Sequence, residues 1–91
     1  MLDLASSTRR VYRSPQRGRL VRTPAVSPDG RQILFQLFRD GAWLLDLSSG
    51  TMRQLLADPS AEEFAWSGDG QRVAYHSRRS GRWSVWLASA E

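Results

Sequence analysis

Residues 25–43 read AVSPDGRQILFQLFRDGAW, and residues 65–83 read AWSGDGQRVAYHSRRSGRW. The two stretches align without a gap at a spacing of forty. Ser27 falls on Ser67, Asp29-Gly30 on Asp69-Gly70, and Ile33-Leu34-Phe35 on Val73-Ala74-Tyr75. Gly41 then matches Gly81, Trp43 matches Trp83, and Leu47 matches Leu87. A third, partial copy opens the chain, where LDLASST at residues 2–8 matches LDLSSGT at residues 45–51 with an offset of 43. Self-similarity at a fixed period of this length is the mark of a repeat architecture.

Within each unit the patterning is that of β-strands. Ile33, Phe35 and Leu37 alternate with other residues in RQILFQLF, and Val73 and Tyr75 do so in QRVAYHS. AWLLDL places Trp43, Leu45 and Leu47 on one side, and RWSVWL places Trp83, Val85 and Leu87 there. Turn residues separate these runs: Pro28 presets φ in SPDG, and Gly30 and Gly70 are expected at positive φ. No apolar stripe of helical period survives the glycines. The expected unit therefore has four strands. Strand A covers residues 25–27 and 64–67, strand B residues 32–38 and 72–77, and strand C residues 43–47 and 83–87. Strand D covers residues 52–56, with an earlier copy at residues 9–13. Four short antiparallel strands repeating at this period predict an all-β chain of propeller blades, two per chain.

PAVSPDGRQILFQLFRDGAWLLDLSSGTMRQLL resembles the TolB-type propeller repeat, a relative of the WD-repeat blade. The resemblance extends over nearly the whole chain. It departs from the family pattern at Gly68, where Pro is usual, at Trp86, matched to Asp46, and at Val26, where Trp is usual. It implies a division into residues 1–22 (the tail of a strand C, a strand D and an Arg-rich loop), residues 23–57 (blade one) and residues 58–91 (strands A to C of blade two). Blades of this kind occur in periplasmic TolB proteins, in winged-helix transcriptional regulators and in prolyl-oligopeptidase-like peptidases. The resemblance thus implies a scaffold for protein or peptide interaction, or a fragment of the propeller of a larger regulator or peptidase. It suits a periplasmic or a cytoplasmic bacterial protein equally.

Two blades alone would leave sheet faces bare, whereas rings have about four to eight. The expectation is a closed ring of three or four copies, or flanking blades in a longer chain. In the ring, the strand at residues 9–13 would complete the second blade of a neighbouring copy.

The 91 residues hold no Cys, a single His and 13 basic residues, all Arg, with a net charge of +4. Without Cys there is no disulfide, thiolate metal site or thiol nucleophile. No apolar run approaches the length of a membrane span, and the first ten residues lack the charged start and apolar core of a signal peptide. Residues 1–28 carry Arg9, Arg10, Arg13, Arg17, Arg19 and Arg22 against Asp3 alone, which makes these arginines a candidate anionic-ligand patch. Nucleic acid is not the expected partner, because no aromatic or Gly-rich pattern is interleaved.

Catalytic chemistry is not expected. No nucleophile elbow or phosphate loop is present. Ser27 and Ser67 sit where a hydroxyl would bond turn backbone, and Asp29, Gly30, Asp69 and Gly70 are expected to be structural turn residues. Asp46 suits a buried acceptor for a neighbouring blade. His76 has no metal-ligating neighbour in sequence, and the adjacent Glu62 and Glu63 are expected on opposite faces of a strand, unable to pair. No cofactor and no metal are therefore expected. Phe35, Trp43, Tyr75 and Trp83 are expected in a core between sheets.

Overall fold

The computed structural model describes residues 10–90. They form seven strands and no helix: β1 (Val21–Val26), β2 (Gln32–Leu37), β3 (Gly41–Asp46), β4 (Met52–Leu56), β5 (Glu62–Trp66), β6 (Arg72–Ser77) and β7 (Ser84–Ser89). No helix among them is long and apolar enough to cross a membrane. Strands β1 to β4 make one antiparallel sheet in chain order, and β5 to β7 make a second.

The S-x-D-G turns are close copies of one another. The Ser27 hydroxyl donates to Asp29 Oδ1 at 2.6 Å and accepts from the Gln32 amide at 3.0 Å. Ser67 does the same with Asp69 and Arg72 at 2.6 and 3.0 Å. Gly30 and Gly70 close the turns at φ 74° and 73°, a region open to glycine because it lacks Cβ. The strands entering these turns share a further feature. Each carries a β-bulge, between Arg22 and Ala25 in β1 and between Glu62 and Ala65 in β5, with Thr23 at φ 49° and Glu63 at φ 57°.

The repeat breaks at the next hairpin. In the first sheet Leu37 faces Gly41 across the three-residue loop 38–40, whereas in the second Ser77 faces Ser84 across the six-residue loop 78–83. Phe35 pairs with Trp43, and its counterpart Tyr75 pairs with Trp86. Beyond strand B the structural offset is thus 43, the same offset that relates residues 2–8 to 45–51. The expected strand at residues 83–87 is corrected to Ser84–Ser89, and Trp86 is the counterpart of Trp43 rather than of Asp46. A slip of an odd number of residues turns every side chain to the other face. Trp86 and Ala88 consequently join the core, while Trp83, Val85 and Leu87 stand 53%, 83% and 62% exposed.

The two sheets pack face to face through Leu34, Ala42 and Leu44 on one side and Phe64, Val73 and Tyr75 on the other. Trp66 seals the junction by donating its indole N–H to the Ala25 carbonyl at 2.9 Å. Phe35 is buried, but on the opposite face of the first sheet, with Leu37 and Leu45 and with the half-buried Trp43 and Tyr12. Of the four aromatics expected between the sheets, only Tyr75 lies there. Residues 10–13 form no strand within the single chain, where the expected partner of a neighbouring copy is not present; Arg9 lies outside the described residues. The segment carrying Tyr12 instead lies against that outer face. It is tied to the first hairpin by Gln16 Nε2 to Asp40 Oδ2 at 3.0 Å and by the Phe38 amide to the Leu20 carbonyl at 2.9 Å.

Candidate functional site

Three groups of residues require placement: the turn carboxylates, the arginines, and the polar side chains of the second sheet. Asp29 and Asp69 are fixed by their own turns, each accepting from the hydroxyl two residues before and the amide two residues after. Asp46 is not a buried acceptor for a neighbouring sheet. It accepts from the Ser48 hydroxyl at 2.6 Å and the Ser48 amide at 2.9 Å, and so caps the β3–β4 turn.

These hydrogen bonds stabilise the ionised carboxyl. The serine hydroxyls, followed by the backbone amides, hold Asp29, Asp46 and Asp69 below the ordinary value of 3.8. Asp58 was not singled out in sequence. Its burial alone would raise the carboxyl. The Ser77 hydroxyl and the Ser60 amide and hydroxyl outweigh that, with Arg79 adding its charge, and hold it low. The only sequence signal was the turn-forming DPS at residues 58–60. A folded-state value below the unfolded one stabilises the fold above the unfolded value, and that stabilisation is lost as pH falls through the folded one. The thermal midpoint should therefore be level from pH 7 to 5 and fall below about pH 4. Melting curves of the chain and of Asp58→Asn check this; an acid-insensitive midpoint in the unmodified chain would contradict it.

The five described arginines of the candidate patch, Arg10, Arg13, Arg17, Arg19 and Arg22, are all exposed. Arg19 donates to the Phe38 carbonyl at 2.7 Å, and Arg22 lies over the Phe38 ring at 5.9 Å beside Arg39 at 5.1 Å. Arg13 and Arg17 border a separate hollow with Ser14 and Gly18. The stretch is a basic rim around the first hairpin and the segment before it.

The second sheet assembles a group that sequence reasoning excluded. Glu62 and His76 are register partners on β5 and β6, and His76 Nε2 lies 3.0 Å from Glu62 Oε1. Adjacent residues of a regular strand point to opposite faces, but the bulge at Glu62–Ala65 overrides this alternation. Glu63, in the left-handed region, brings its carboxylate to the same side. One ligand atom from each of Glu62, Glu63 and His76 lies within 4.8 Å of the others. The expectation that the two glutamates cannot work together is thereby corrected. Trp83, displaced outward by the longer hairpin loop, meets the imidazole in a tilted contact with ring centroids 4.7 Å apart and planes at 48°.

The outward face of the second sheet is mixed, because Val85 pairs with His76 and His76 with Glu62 across the ladder. Val85 and Leu87 project from the second sheet, and a hollow lined by Tyr12, Val21, Pro24, Ile33, Phe35 and Met52, among others, opens on the first. No family model and no curated protein matches the chain.

Proposed function

We propose that this chain is a non-catalytic scaffold of the propeller type, in which the two sheets are successive blades and the outward faces stack on blades of further copies. One observation carries this reading. Ala42 and Leu44 are covered by the second sheet, at 0% and 3% exposure, whereas the residues in their register positions, Val85 and Leu87, are bare. The face that packs in the first unit is repeated in the second without a cover. Exposed apolar surface of this kind marks an interaction site.

The occupant that fits is a second copy. The opposite end of the chain offers the apolar hollow around Phe35 and Met52, an apolar surface to receive Val85 and Leu87 of a neighbouring copy. A contact between unlike ends is head-to-tail, and it closes into a ring when the rotation permits. Three or four copies would give a propeller within the range of about four to eight blades. The Ser, Asp and Gly residues of the turns serve the backbone, which leaves the scaffold role of binding a protein or peptide partner as the function supported best. Neither nucleic acid nor a cofactor enters this reading.

Light scattering on the purified chain tests the proposal. The expected mass is three or four chains, with Leu87→Arg reducing it to one. A single-chain mass from micromolar to millimolar concentration would overturn the ring. It would favour blades that meet flanking repeats in a longer regulator or peptidase.

A further inference from the structure

We propose that Glu62, Glu63 and His76 form a binding site for a divalent transition-metal ion of the zinc class. The donor set is one imidazole nitrogen and two carboxylate oxygens, a combination suited to Zn2+ with a water in the remaining position. Two of the three donors, Glu62 and His76, stand opposite one another on paired strands, so the rigid part of the sheet sets their separation. The third, Glu63, is exposed and free to adjust. Ligands at about 2.1 Å from a tetrahedral ion lie about 3.4 Å apart. Donor atoms within 4.8 Å of one another therefore need to close by little more than an ångström, within reach of a Glu rotamer.

The first sheet supplies an internal comparison. The same bulge occurs in β1, but the positions matching Glu62, Glu63 and His76 hold Arg22, Thr23 and Gln36. The backbone device is common to both sheets, while the ligating side chains belong to the second alone. Its hairpin loop is also the longer one, and the added residues lay Trp83 against the imidazole, which helps fix the ring. Without metal, Nε2 of His76 and Oε1 of Glu62 share a hydrogen bond. On binding, Nε2 offers its lone pair to the ion, the neutral ring keeps its proton on Nδ1, and both carboxylates are ionised.

His76 is the sole histidine and the chain has no cysteine, so imidazole-dependent metal binding reports this site without interference. Titration calorimetry with Zn2+ on the untagged chain should show one ion per chain. His76→Ala and Glu63→Gln should each weaken binding by about tenfold or more. Glu63→Gln is the safer variant for folding, since its side chain is exposed. Co2+ should quench tryptophan fluorescence saturably, and Trp83→Phe should remove most of the quenching while leaving the Zn2+ affinity in place. The site shares its face with Val85, so Leu87→Arg, as a single copy with that face open, should bind Zn2+ at least as tightly as the unmodified chain, which separates the site from any assembly of copies. Absence of saturable Zn2+ binding below the millimolar range, or an affinity unchanged in Glu63→Gln and His76→Ala, would overturn the assignment.

Discussion

Phe35→Ala is expected to destabilise the chain by about 3–5 kcal/mol, the cost of truncating a buried aromatic where the surroundings collapse only partly. Phe35 is 4% exposed, sits opposite Trp43 across the β2–β3 ladder, and holds together the cluster formed with Leu37 and Leu45. A chain of this size has roughly 5–14 kcal/mol in total, so the loss is about a fifth or more of what is available. Denaturant unfolding should show a much lower midpoint with a similar slope. The same truncation at Val85, exposed in the single chain, should change stability by less than about 0.5 kcal/mol when both are measured in the single-copy Leu87→Arg background. Equal effects at the two positions would refute the assignment of faces.

Gly41→Ala is expected to cost about 2–6 kcal/mol, although only a methyl group is added. Gly41 opens β3 at φ 103°, where an L side chain is strained, and a Cβ there would meet the Leu56 carbonyl oxygen at 2.1 Å. That oxygen belongs to the backbone of the paired strand β4, so it cannot swing away. Gly81, its match in sequence, also has positive φ at 94°, but open space surrounds it. Gly81→Ala should therefore lose only the backbone term, about 1–2 kcal/mol. Gly30→Val, at φ 74° with open space around it, should cost about 1 kcal/mol or more. Thermal melts of the three variants decide the matter, and the claim fails if Gly41→Ala melts with Gly81→Ala.

The sequence by itself determined the local structure. Alternating apolar residues between S-x-D-G turns gave two antiparallel sheets with their A–B turns in place, because a turn's hydrogen bonds and the φ of its glycine are settled within a few residues. It also determined that Phe35 and Tyr75 are core. The tertiary structure decided what depends on counting residues across a loop. RDG at 39–41 and RSG at 79–81 look alike, yet the second hairpin is three residues longer. Alternation along β7 is consistent with either face until pairing with β6 fixes which residues turn inward. Val85 and Leu87 were for that reason expected to share a face with Trp83 in the core, and they stand outside. Packing likewise decided that Tyr12 lies against the outer face of the first sheet, where it finds an apolar partner surface. The Glu62–Glu63–His76 group was hidden for a related reason. A bulge leaves no signature in Glu-Glu-Phe, and His76 is fourteen residues away along the chain while directly opposite Glu62 in the ladder. Local chemistry is written in neighbours along the sequence, but register and convergence are set by neighbours in space.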